Sequence, residues 1–156
     1  GEETKEDLVA LGDDVFDYYG LGCRNVSKVY VPEGYDFDLL FDAFYEYKYV
    51  VDKKKDATNF DYHRALFLMG GHEMLENGFL LLKEDEALSS PISMLHYETY
   101  ESLDALNKHL NFQSESIQCI VSKSNLPNSF DLGQAQCPGV EDYADGVDTM
   151  AFLGGL

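Results

Sequence analysis

Apolar and polar positions alternate between helical and extended periods along this chain. In residues 3–19, Leu8, Val9, Leu11, Val15 and Phe16 recur at helical spacing, with an interruption near Gly12. Glu2, Glu3 and Glu6 sit where the positive pole of a helix favours acids. This predicts a helix that delivers the chain to the turn Gly20-Leu21-Gly22. Residues 26–31 carry Val26, Val29, Tyr30 and Val31 and predict a buried strand, closed by Pro32 and Gly34. From a cap at Asp36 or Asp38, a helix is predicted to about Lys55. Its apolar face is Phe37, Leu40, Phe41, Phe44, Tyr45, Tyr49 and Val50. Such an aromatic stripe fits a helix packed on a sheet better than the lining of an acyl channel.

A second helix is predicted over Asn59–Gly71, with Tyr62, Ala65, Leu66, Phe67 and Met69 inward and Gly70-Gly71 as its stop. Short apolar runs at 78–83 and 92–98 read as strands, with His96 inside the latter as a core histidine. Residues 101–110 form a helix with Leu103, Leu106 and Leu110 on one side, and 116–122 form a strand holding Cys119. Asn125, Pro127, Asn128, Gly133, Pro138 and Gly139 mark 123–140 as loop. Met150–Leu153 is a short apolar end suited to a sheet edge or a neighbouring subunit. Strands alternating with helices predict an α/β fold, a mainly parallel sheet flanked by helices.

The candidate chemistry lies at Cys23. A cysteine on a glycine-flanked turn is open to a substrate, and backbone N–H groups there can stabilise charge on sulfur or oxygen. The competing reading is a small buried cysteine beside a turn. Cys23, Cys119 and Cys137 are odd in number and form no C-x-x-C pair, which fits free thiols in a reducing cytosol. His63 and His72 lack the spacing of a metal frame, and Asp142, Asp145 and Asp148 lack that of an EF-hand, so no metal is expected.

Charge narrows the partners. The chain has 156 residues, with 29 Asp and Glu against 11 Lys and Arg, a formal charge of −18. Such acidity repels phosphate backbones, so no nucleic-acid partner is expected. Any anionic substrate needs a local patch; Arg24, Lys28, Lys48 and Lys53-Lys54-Lys55 are the cations of the first third. The lysine cluster reads as a solvated helix end, at the negative pole. No apolar stretch approaches the ~20 residues of a membrane span. Length suits a single domain, residues 1–156, and Gly1 with its polar run reads as a cut site.

Three stretches in register carry a resemblance. Residues 20–44, GLGCRNVSKVYVPEGYDFDLLFDAF, resemble the cysteine segment of the aldehyde dehydrogenase superfamily, and most closely its acyl-CoA reductase (LuxC-type) branch. Glu84–Leu110 resembles the superfamily's Glu-x-Phe-Gly-Pro-Val strand and following helix, with Ser89 and Ser90 replacing its phenylalanine and glycine. Leu132–Leu153 resembles the closing segment of the same branch. The resemblance implies an aldehyde-dehydrogenase-like catalytic domain, the C-terminal part of a longer enzyme whose nucleotide-binding domain lies upstream. It implies NADPH-dependent reduction of a fatty-acyl thioester to an aldehyde, with Cys23 as nucleophile. Gly20, Gly22, Arg24 and Asn25 would form the supporting turn and oxyanion site, with the Cys23 N–H as donor. Glu86, Ser89 and Ser90 would touch the cofactor. Arg24 would either lower the thiol pKa or turn into a salt bridge. The implied partners are an acyl thioester and either a second copy or an acyltransferase or synthetase. An aldehyde-oxidising dehydrogenase, a thiol acyltransferase and a non-catalytic oligomerisation module are the alternatives.

Overall fold

The computed structural model describes residues 2–124, 126–143 and 147–155, with the backbone alone for 54–56. Gly1, Asn125 and Asp145 therefore lie outside the described residues, as do the side chains of Lys54 and Lys55. Helix α1 (Lys5–Phe16) opens on a capping box: the Asp7 N–H donates to the Thr4 hydroxyl and the Thr4 N–H to the Asp7 carboxylate. It ends in a one-turn 3-10 segment, Asp17–Gly20, in which Tyr18 and Tyr19 hold positive φ. Strand β1 (Lys28–Pro32) follows, then α2 (Phe37–Phe44), capped by Asp36. A 3-10 helix (Tyr45–Asp52) leads to α3 (Lys54–Met69). Strands β2 (Leu75–Glu76), β3 (Leu81–Glu84) and β4 (Met94–Tyr100) precede α4 (Leu103–Phe112). Strands β5 (Ile120–Val121) and β6 (Ser129–Phe130) and the short helix α5 (Thr149–Gly154) complete the chain.

The main sheet runs β1-β4-β3-β2, with β1 and β3 parallel to β4 and β2 antiparallel. A separate two-stranded parallel sheet joins β5 to β6. Side-chain alternation assigns the helices to faces. Leu82 and Leu95, cross-strand partners, join Leu8, Leu11 and Val15 of α1 and Leu40 and Phe44 of α2 in the principal core. Leu81 and Met94, one residue out of phase, pack against Phe60 and Phe67 of α3. Tyr30 meets His109 of α4 while its neighbour Val29 packs into the principal core. The sheet thus has α1 and α2 on one face and α3 and α4 on the other. This is a mixed α/β domain with a central, mainly parallel sheet between helices, as the alternation of elements predicts.

Several elements depart from the sequence expectation. The helix expected from a cap at Asp36 or Asp38 to about Lys55 breaks at Phe44, because the buried residues beyond it are Tyr47 and Val50. Phe44, Tyr47 and Val50 recur every three residues, and a 3-10 helix is what aligns that spacing. Tyr45 and Tyr49, placed inward by the sequence reading, are exposed. The lysine cluster lies at a junction: Lys53 caps the end of the 3-10 helix, Lys54 begins α3, and the Lys53 ammonium sits 4.1 Å over the Tyr19 ring. On α3 the residue that enters the core is Phe60; Tyr62, Ala65, Leu66 and Met69 face outward. The strand expected over 116–122 shrinks to two residues, and residues 150–153 are helical and exposed. His96 is a buried core histidine, its Nδ1 3.1 Å from the Ala87 carbonyl.

Candidate functional site

The Cys23 turn is held from both ends of the chain. Asp14, in the last turn of α1, is almost fully buried. Its carboxylate accepts the N–H of Gly133 and the N–H of Ala135, at 2.6 and 2.8 Å. Its own carbonyl accepts the Val26 N–H at 3.0 Å. Burial pushes the Asp14 carboxyl above its usual range, and the two donated N–H groups oppose that shift. One aspartate therefore ties α1, the start of β1 and the 133–137 turn together. The side chain of Gln136 then packs on Gly22, where a Cβ would stand 2.7 Å from Nε2. Gly20, at φ 68°, bends the chain in the left-handed region.

Within this frame Cys23 is exposed. It lies on the wall of two adjacent clefts, of about 360 and 250 Å3. The larger also touches Ser89, and the smaller Ser90. The structure thus places Cys23 on the same cleft walls as residues more than sixty positions away in sequence. The bonds that do so are local: Ser27 Oγ donates to the Leu88 carbonyl at 2.8 Å, and Lys28 Nζ donates to the Glu86 carbonyl at 2.8 Å. Ser90 Oγ donates to the Met94 carbonyl at 2.6 Å. Glu86 contributes its backbone to this loop, and its exposed side chain lines neither cleft.

The rest of the turn divides between open and occupied groups. Among the described residues, the Cys23 N–H has no hydrogen-bond partner. The Asn25 side chain donates to the Val26 carbonyl at 3.2 Å, and its Oδ1 is buried without a partner. Arg24 turns into the protein. Its guanidinium stacks 4.8 Å over the Phe130 ring and donates to the Ala135 carbonyl at 3.4 Å. It makes no carboxylate ion pair among the described residues. Cys119 is half-buried and its Sγ donates to the Arg24 carbonyl at 3.6 Å; burial pushes this thiol up, which disfavours its thiolate. Cys137 is exposed beside Gln136. Among the described residues no cluster of His, Cys, Asp or Glu has metal-binding geometry, and no helix is long and apolar enough to cross a membrane.

Asp14 and Gln136 are the site residues that the sequence pattern does not single out. Asp14 interrupts the apolar spacing Leu11–Val15, and a lone carboxylate inside an amphipathic stripe is the only mark it leaves. No family model matches the chain, and no curated protein or solved structure matches it.

Proposed function

We propose that Cys23 forms an acyl-enzyme with a fatty-acyl thioester, in an NADPH-dependent reduction to aldehyde of the acyl-CoA reductase type. The reading combines the resemblance of residues 20–44 with one observation. An exposed thiol whose backbone N–H has no partner among the described residues lies on the wall of two clefts, one also lined by Ser89 and the other by Ser90. In this mechanism the Cys23 thiolate attacks the acyl carbonyl and the Cys23 N–H donates to the developing oxyanion. The thioester C–S bond breaks and coenzyme A leaves as its thiolate. NADPH, when bound, would supply the hydride for reduction to the aldehyde level; the role of Cys23 is to hold the acyl group as a thioester and to leave as thiolate when the aldehyde is released. Arg24 acts here by positioning the turn through Phe130 and Ala135. NADPH would be held mainly by a domain outside this chain, in an aldehyde-dehydrogenase-like whole. The setting is a reducing cytosol, with a second copy or an acyl-supplying enzyme as partner.

The test is intact mass after incubation with a fatty-acyl-CoA at neutral pH. The expected result is one acyl addition, removed by hydroxylamine and absent in Cys23→Ala. Alkylation should also be faster at Cys23 than at Cys119. Cys23 that neither acylates nor alkylates faster than Cys119 and Cys137 would overturn the nucleophile assignment.

A further inference from the structure

Two of the three thiols share one cleft. Cys23 and Cys119 both line the larger cleft, whereas Cys137 lines neither. The Asn25 N–H donates to the Gly22 carbonyl at 3.1 Å, which closes a four-residue turn with Cys23 second and Arg24 third. Cys119 hydrogen-bonds into that same turn, from its Sγ to the Arg24 carbonyl at 3.6 Å. Standard backbone dimensions then keep the Cys119 sulfur within about 10 Å of the Cys23 Cα. The two thiols also act on one another electrically, a charge on Cys23 pushing the Cys119 thiol up.

The pair is asymmetric. Cys23 is exposed, so a small solute reaches it from solvent. An exposed side chain changes rotamer within nanoseconds, so its sulfur samples the cleft. Cys119 is half-buried, and burial is the largest influence raising its pKa. The Arg24 guanidinium opposes that shift, while Asp14 and Cys23 add to it. Cys119 therefore stays protonated at neutral pH against a carbonyl acceptor, sheltered from first attack by an oxidant. An open thiol with a sheltered one on the same cleft is the arrangement of a sensing and a resolving cysteine.

We propose that Cys23 and Cys119 are a peroxide-responsive pair that closes reversibly into a disulfide and takes the Cys23 nucleophile out of use. The Cys23 thiolate attacks hydrogen peroxide. An S–O bond forms, the O–O bond breaks, and the leaving hydroxide takes a proton to become water. The sulfur is oxidised by two electrons and the peroxide is reduced. Cys119 then attacks the sulfenic sulfur. The S–S bond forms, the S–O bond breaks, and the departing hydroxide takes the Cys119 proton as a second water. The hydrogen bond from Cys119 to the Arg24 carbonyl is lost in this step. A dithiol reopens the bond by exchange and is itself oxidised to its disulfide. The loss of acyl transfer rests on the function proposed above; the disulfide does not.

The test is hydrogen peroxide treatment of the whole chain without reductant, read by intact mass and by non-reducing peptide mapping. The expected product is a monomer lighter by two hydrogens, with Cys23 linked to Cys119 and lost to alkylation. Dithiothreitol restores the parent mass and the alkylation. Cys137→Ser should behave as the parent chain. Cys119→Ser keeps a hydroxyl donor for the Arg24 carbonyl, so the turn is retained. That variant should stop at a Cys23 sulfenic acid that dimedone traps, and pass to sulfinic acid with more peroxide. Absence of a link, a link from Cys23 to Cys137, or a link between two chains overturns the pair. So does sulfinic acid forming at Cys23 of the parent chain as readily as in Cys119→Ser. The acyl readout is separate. Fatty-acyl-CoA should load the reduced chain, fail on the oxidised chain and load again after dithiothreitol. An oxidised chain that still takes the acyl group at Cys23 overturns the switch. A reduced chain that takes none counts against the proposed function, while the disulfide readout still decides the pair.

Discussion

Asp14 ties helix α1 to the start of β1 and to the 133–135 turn. A buried carboxylate is tolerated only where its oxygens are satisfied, and both are, by backbone N–H groups of the 133–135 turn. Asp14→Asn keeps the shape but presents an amide N–H to one of those donors. We expect a loss of about 1–3 kcal/mol in denaturant unfolding. The loss should be accompanied by faster proteolysis of the 133–137 turn, because that turn is what the carboxylate holds. Tyr18 shows the opposite balance. It holds φ 53° and is largely exposed, so its side chain contributes little packing against the backbone strain. Tyr18→Gly should raise stability by about 0.5–1 kcal/mol, measured by the same unfolding curves. Tyr19, also in the left-handed region, lies under the Lys53 ammonium and packs on the core, so its replacement should gain nothing.

At the scale of elements, α1 and the 3-10 helix of 45–52 form the support on which the Cys23 turn rests. Their contact is Gly12 against Tyr47: a Cβ at Gly12 would stand 2.1 Å from the tyrosine ring. Tyr47 stacks on Phe16 at 5.0 Å, and its hydroxyl donates to Asp13 at 2.6 Å with the Val9 carbonyl 2.8 Å away. Burial and the Asp13 bond push its phenol far up, so it stays a donor at any ordinary pH. Alanine exceeds glycine in helix propensity by about 1 kcal/mol, whereas overpacking a core costs about 1–3 kcal/mol. The second effect wins, because the displaced ring is also hydrogen-bonded. Gly12→Ala should therefore destabilise the chain in thermal unfolding despite the better helix former. A sequence pattern marks Gly12 as an interruption of the helix; the tertiary contact makes it a requirement of packing. The same holds for the break at Phe44. Helical and 3-10 spacings are indistinguishable over a run as apolar as residues 37–50, and the choice follows from where Tyr47 finds its pocket.

For the whole molecule, charge sets the response to acid. The carboxyls of Asp7 and Asp85 are held down at about 2, from an ordinary 3.8. The largest cause is the hydrogen bond from an ammonium beside each, that of Lys123 for Asp7 and of Lys83 for Asp85. A carboxyl depressed by folding stabilises the fold above its unfolded pKa, and that contribution is lost as pH falls toward the folded value. Asp14 has the reverse sign: its raised pKa makes the folded state take the proton first, so its contribution grows as pH falls into the range above 3.8. The melting temperature should hold or rise slightly on acidification until about pH 4, then fall toward pH 2. Asp85→Asn should flatten the lower limb, and a limb unchanged in that variant would contradict the assignment.

The sequence by itself determined the alternation of strand and helix, the buried strands around Leu81–Leu82 and Leu95, and the glycine turn that exposes Cys23. These follow from local backbone preference and from burial of adjacent apolar residues, which need no distant partner. It also held the resemblance on which the acyl-transfer reading rests. Only the tertiary structure decided which face of α3 is inward, how short β5 is and where Arg24 points. It alone brought Ser89, Ser90, Gln136 and Cys119 to the Cys23 turn, through Asp14, Ser27 and Lys28. Those outcomes turn on hydrogen bonds and contacts between residues as far apart as Asp14 and Ala135, and no local period along the chain encodes the partner of a buried polar group.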